Sequence, residues 1–145
     1  MNSFAIEAGS LDKSYRVGDA TLRVLEGISL QVGEREFLSI QGESGCGKTT
    51  LLNLLCGLES PDSGYVSWGG QTIETKRRNA LAKRRARYLG IVFQSYYLVP
   101  EIDALQNVLM SSRIANGSLS SKEVEKARGL LERVGLGDRG VQMPN

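Results

Sequence analysis

The chain has no histidine, only two cysteines and no long apolar run, and each shortage closes off a class of function. Without histidine there is no imidazole to serve as a switch. Cys46 and Cys56 are too few and wrongly spaced for a zinc site, and they make a poor case for a disulfide in a chain that shows no export signal. A reducing cytosol is the simplest home. The most apolar stretch, Leu51 to Leu58, is short and contains Asn53, well below the length that spans a bilayer, so any membrane role has to come through a partner. Met1 to Ser10 lacks a basic segment followed by an apolar run, and Glu7 interrupts the only candidate, so no secretory leader is expected. Neither sign of charge dominates: 18 Lys and Arg against 16 Asp and Glu leave a formal net charge of +2, which demands neither an acidic partner nor nucleic acid. What remains is 145 residues, 41% of them hydrophobic, enough for one globular domain or most of one.

Apolar residues alternate from Phe4 to Val32, with glycines at 9, 18 and 27, and this predicts short antiparallel strands. Glu36 to Gln41 (EFLSIQ) reads as a strand running into a glycine-rich loop, followed by a helix over Lys48 to Cys56 that Gly57 ends. Leu51, Leu52, Leu54 and Leu55 cover much of that helix, which predicts that it is packed inside the domain. A strand at Tyr65 to Trp68, a turn at Gly69-Gly70 and a basic helix at Arg78 to Tyr88 come next, and then Leu89 to Phe93 (LGIVF), a run of the buried parallel-strand kind. Near Pro100 the chain turns helical. Asp103 with Gln106 and Ser120 with Glu123 have capping-box spacing, and Val124, Ala127, Leu131 and Val134 share one helical face.

Gly42-Glu43-Ser44-Gly45-Cys46-Gly47-Lys48-Thr49 fits the phosphate-binding pattern G-x-x-x-x-G-K-[ST], and the task explains each fixed position. Glycines let successive N–H groups point inward at a polyphosphate, and the helix that starts there adds the positive end of its dipole. Lys48 can reach the β- and γ-phosphates, and the Thr49 hydroxyl is a hard ligand for magnesium. Cys46 occupies a variable position and reads as a passive small residue. The basic run Lys76, Arg77, Arg78, Lys83, Arg84, Arg85 and Arg87 reads as a solvated helix face rather than a nucleic-acid or lipid patch.

Three further stretches make a specific resemblance. The segments LLNLLCGLESPDSGYVSW (residues 51–68) and LGIVFQ (89–94) followed by YLVP (97–100), together with Tyr15, resemble the ATP-binding domain of ABC transporters. VFQSYYLVPEIDALQNV and LDKSYRVGDATLRVLEGISL are similar to the lipoprotein-release and macrolide-export subgroup. The resemblance implies an α/β fold of the P-loop NTPase (ABC ATPase) class, with an N-terminal antiparallel β subdomain and the start of a helical subdomain. Residues 1–100 would form the β subdomain and part of the P-loop core, and residues 101–145 the beginning of the helical subdomain. It implies ATP and Mg2+ as ligands, with Gly42 to Thr50 on the phosphates, Thr49 and Gln94 at the metal, and Lys48 and Gln94 in the chemistry. Tyr15 would stack on adenine, the alternative being a strand-end tyrosine packed on its neighbours. Gln94 would reach magnesium and the attacking water, the alternative being a surface loop residue. Transmembrane permease subunits would be the partners, with contacts from Tyr96 to Asn107, alongside a second copy of the domain. The location would be cytoplasmic, peripheral on the inner face of the cell membrane.

The same resemblance makes other residues conspicuous by their absence. After Lys48 no run of four apolar residues ends in Asp or Glu, so there is no Walker B carboxylate, and there is neither an LSGGQ-like signature nor a switch histidine. The expectation is an N-terminal fragment, lacking the C-terminal part of the fold, whose full-length form hydrolyses ATP while the fragment itself at best binds it. A GTPase is disfavoured because no N-K-x-D motif is present, and a small-molecule kinase because the late helices are mixed in charge. A non-transport ABC-type ATP-binding module remains the alternative.

Overall fold

The alternating apolar residues build one long hairpin rather than several short strands. In the computed structural model, which describes residues 4–75 and 77–144, β1 spans Ile6–Val17 and β2 spans Ala20–Val32. Gly18 and Asp19 reverse the chain, leaving Val17 opposite Ala20. The glycines at 9 and 27 lie inside the strands and do not end them. Leu11 pairs with Ile28 and Lys13 with Leu25, so Asp12 faces the two residues Glu26 and Gly27, and Gly27 takes a φ of 60°. This is a β-bulge, with glycine where the left-handed backbone is needed. The Asp12 carboxylate accepts from the Gly27 N–H at 2.7 Å and from the Ser63 hydroxyl, joining β1 to both neighbours.

β3 (Ser63–Trp68) pairs antiparallel with the other edge of β1, Ile6 opposite Trp68. Gly69 and Gly70, at φ 56° and 74°, then turn the chain into the short β4 (Gln71–Thr72), giving the order β2-β1-β3-β4. Helix α1 (Lys48–Leu55) lays Leu51, Leu54 and Leu55 on this sheet, against Ala8, Leu11, Leu25, Val66, Trp68 and Ile73. Leu52 is half exposed, so the helix buries one face and is not enclosed as its leucine content predicts. Helix α2 (Arg78–Tyr88) adds Leu81 to the same core. Trp68 is the centre of the cluster at 1% exposure: its indole N–H donates to the Leu55 carbonyl at 2.8 Å and Tyr88 stacks on its ring at 5.8 Å.

The strands expected at residues 36–41 and 89–93 do not form. Residues 36–41 and 89–93 carry no ladder hydrogen bonds, with Phe37 91% and Val92 99% exposed. An apolar parallel strand is stable only when neighbours complete its ladder and cover both faces, and among the described residues no strand pairs with either segment. The basic helix also departs from a purely solvated face. The Arg84 guanidinium donates to the carbonyls of Trp68 (2.8 Å) and Gln71 (3.0 Å) and lies over the Trp68 ring, and Arg85 donates to the Gly57 carbonyl at 3.0 Å. Both are fixed parts of the fold. Lys76 lies outside the described residues.

The chain divides into two units, one up to Leu89 and one from Gly90. In the second, α3 (Ala104–Asn116) and α4 (Ser121–Arg133) both start with complete capping boxes, Asp103 with Gln106 and Ser120 with Glu123. Leu105, Leu109, Ala127 and Leu131 form its core, with Leu119 and Val124 packed on it. Val134 does not join the face predicted for it: the helix stops at Arg133 and Val134 is exposed. The 3-10 turn Gly137–Arg139 leads to backbone that accepts from the first N–H groups of α3, Ala104 to Gln142 and Leu105 to Gly140, each at 2.9 Å.

The Asp12 bridge predicts an acid-sensitive sheet. The Ser63 hydroxyl and the Gly27 N–H hold its carboxyl below the ordinary value of 3.8. A carboxylate with a lowered folded-state pKa contributes stability that is full above its unfolded pKa and is lost as pH falls through the folded one. Urea unfolding of Asp12→Asn followed by circular dichroism should therefore show a flatter pH dependence than wild type below about pH 4.

Candidate functional site

Gly42 to Gly47 lead without secondary structure into the first turn of α1, and the loop is held over β2. Gly47 is the N-cap of α1 at φ 96°, and a Cβ there would stand 2.9 Å from Val24 Cγ1 and 3.1 Å from the Val24 carbonyl oxygen. Both the backbone angle and the close passage of β2 require glycine. Gly45 also takes a left-handed φ, 82°, with open space around it. Glu43, Ser44, Gly45 and Cys46 are exposed, as is Thr49, while Lys48 and Thr50 are half-buried.

Backbone donors collect at this loop. The Leu51 N–H closes the first helical bond on the Gly47 carbonyl, and the Cys46 N–H reaches the Glu43 carbonyl at 3.3 Å. Among the described residues the N–H groups of Gly45, Gly47, Lys48 and Thr49 have no protein acceptor. Open donors at a helix N-terminus attract an anion through their partial positive charge. The Lys48 ammonium turns into the loop, donating to the carbonyls of Gly42 (2.9 Å) and Glu43 (2.6 Å), with Cys46 Sγ at 3.7 Å. No carboxylate pairs with it among the described residues, so its charge is neutralised only by carbonyl dipoles. The exposed Thr49 hydroxyl beside these donors is the kind of oxygen a magnesium–polyphosphate unit takes as a ligand, and the residues present fit that group.

Tyr15 lies on β1 in the same unit. Its hydroxyl donates to Glu59 Oε2 at 2.9 Å, and the Lys13 ammonium sits over its ring, 5.3 Å from the centroid. Burial pushes the phenol pKa up, the nearby Thr50 hydroxyl works against that, and Glu59 adds to the rise. Tyr15 and Gly42 to Thr50 belong to one unit. Gln94 belongs to the other unit, exposed in a bend after residues 89–93, with Phe93 and Tyr97 edge to face at 5.1 Å nearby. Sequence reasoning overlooked Lys13, Glu59 and Asp62 around Tyr15. Lys13 stands two positions from Tyr15 and so shares its face of β1, a signal that was available; the reach of Glu59 across 44 positions was not.

A loop of open N–H groups and a lysine without a carboxylate partner, at the start of a helix packed by one face on the sheet, defines a P-loop nucleotide-binding protein. The family model described as ABC transporter matches residues 25–144, and the chain belongs to that family. It is 42% identical to the lipoprotein-releasing system ATP-binding protein LolD 2 of Chlorobium chlorochromatii over 97% of this chain and 60% of the relative. It is also 42% identical to the macrolide export ATP-binding/permease protein MacB of Rhodopirellula baltica, over 97% of this chain but 21% of the relative. Among solved structures, the ATP-binding cassette MJ0796 bound to ADP and Pi superposes with a TM-score of 0.87 at 29% identity, over 97% of this chain and 62% of that one. The chain thus spans three fifths of the LolD relative's length and about a fifth of MacB's. Its fold is a partial ABC ATPase cassette, and it is an ATP-binding domain of the ABC transporter family.

Proposed function

We propose that Gly42 to Thr50 hold the phosphates of Mg-ATP, with Lys48 on the β- and γ-phosphates, Thr49 as a magnesium ligand and Tyr15 against the adenine. The set of unspent N–H groups at Gly45, Gly47, Lys48 and Thr49 carries this reading. Magnesium held by the Thr49 hydroxyl would supply charge neutralisation at the phosphate oxygens. Lys48 exchanges the Gly42 and Glu43 carbonyls for phosphate oxygens, a stronger charge-assisted contact. Gln94 orients the attacking water, since an amide can donate and accept at once without adding charge at the metal. The 145-residue chain binds nucleotide without steady hydrolysis. The full-length protein works as a pair of such domains and couples ATP hydrolysis to transport of the export or lipoprotein-release type by transmembrane permease subunits at the inner face of the cell membrane. The names of the LolD and MacB relatives support that assignment. Residues 101–145 belong to a helical subdomain that, with Tyr96 and Tyr97, meets the permease, and no nucleic acid is involved.

Gln94→Ala in the full-length protein tests the division of labour. Phosphate release should fall by about a hundredfold while ATP affinity stays near wild type. Equal loss of affinity and turnover would show that Gln94 belongs to the binding contacts instead.

A further inference from the structure

The side chains around Tyr15 form a closed set that no step of phosphate binding uses. Lys13, whose side chain is 12% exposed, donates to the Ser60 carbonyl at 2.8 Å and pairs with Glu59 at 3.3 Å and Asp62 at 3.4 Å. Asp62 accepts from the Ser14 N–H at 2.7 Å, fixing the turn after α1 to the backbone of β1. Glu59, in that same turn, accepts from the Tyr15 hydroxyl. The ring is therefore held at its tip by a carboxylate and capped by an ammonium, and both groups are held by each other.

We infer that Glu59 and Lys13 are positioning residues for the base: they fix the orientation of the Tyr15 ring and leave one of its faces for adenine. The inference rests on the proposed stacking of adenine on Tyr15. A phenol on a strand turns about two side-chain torsions, and a base gains stacking energy only from a ring already aligned with it. The Glu59 hydrogen bond holds the phenol tip and so fixes the first torsion, and the Lys13 ammonium over the ring restrains the second. Lys13 lies over one face at 5.3 Å, so a flat base is confined to the opposite face. Glu59 lies four residues after α1, in the turn that follows it, and the first turn of α1 carries Lys48 and Thr49, so one helix and its C-terminal turn connect the base position to the phosphate position.

Calorimetric titration of the 145-residue chain with Mg-ATP and with magnesium tripolyphosphate, which has the phosphates and no base, separates the two roles. Glu59→Ala and Lys13→Met should each weaken ATP by about three- to tenfold, the equivalent of one hydrogen bond, and leave tripolyphosphate unchanged. Glu59→Gln, whose amide oxygen still accepts from the phenol, should recover most of the ATP affinity. Circular dichroism and the urea midpoint, taken alongside, should show that each variant is folded. Tyr15→Ala is the control for the underlying reading: if it leaves the preference for ATP over tripolyphosphate intact, the stacking itself is wrong. If Tyr15→Ala removes the preference while Glu59→Ala and Lys13→Met keep it, the positioning role is overturned. Equal weakening of ATP and tripolyphosphate by Glu59→Ala would overturn it as well.

Discussion

Lys48→Ala in the full-length protein should cut phosphate release by at least about a hundredfold and leave the fold standing. The ammonium is the one charged donor at the loop, and its present partners are the carbonyls of Gly42 and Glu43. Neutral carbonyls exchange readily for water, so their loss costs the folded chain little, whereas a polyphosphate deprived of the ammonium has no replacement. The expected signature is therefore a split: loss of turnover and of nucleotide affinity, with a thermal midpoint in the absence of nucleotide close to wild type. Measurement of both on the same preparation checks it. A Lys48→Ala protein that unfolds at a much lower temperature would assign the residue to the structure of the loop.

Trp68→Ala should have the largest effect on stability. The side chain is 1% exposed and central to the core of the first unit, and large-to-small changes at such positions cost about 3–5 kcal/mol. Two further losses add to the cavity. The Leu55 carbonyl at the end of α1 loses its indole donor, and the stacked Tyr88 and the Arg84 guanidinium lose the ring they pack on. Domains hold on the order of 5–15 kcal/mol in total, so the substitution consumes much of the margin. A urea titration followed by far-ultraviolet circular dichroism should show the midpoint lowered by about 1–5 M. A midpoint within about 1 M of wild type would mean that the core is carried elsewhere.

The contrast between these two residues shows what the sequence makes legible. Lys48 stands out by spacing alone, because the glycine loop, the lysine and the hydroxyl must follow one another along the chain. Local rules also placed α1 at Lys48, α2 at Arg78–Tyr88 and both capping boxes. Cooperative features escaped. The segments at 36–41 and 89–93 have strand composition, yet a parallel strand needs a neighbour, and among the described residues neither segment has one. Gly27 looked like a strand end because composition cannot tell a bulge from a break; only the extra residue opposite Asp12 decides it. Arg84 and Arg85 looked like solvent-facing charge, because the carbonyls they bind are brought to α2 by β3, β4 and the end of α1. For the site, Tyr15 and Gln94 were legible only through family resemblance, and the partners of Tyr15 only through the fold.

Polyphosphate binding by Gly42 to Thr49 is the property from which the other roles follow. Titration of the 145-residue chain with Mg-ATP and Mg-AMP, in wild type and in Lys48→Ala, measures it. Saturable binding of ATP, weakened at least about tenfold in Lys48→Ala, with no comparable binding of AMP, is the predicted result. AMP binding as tightly as ATP, or ATP binding unchanged by Lys48→Ala, would contradict it.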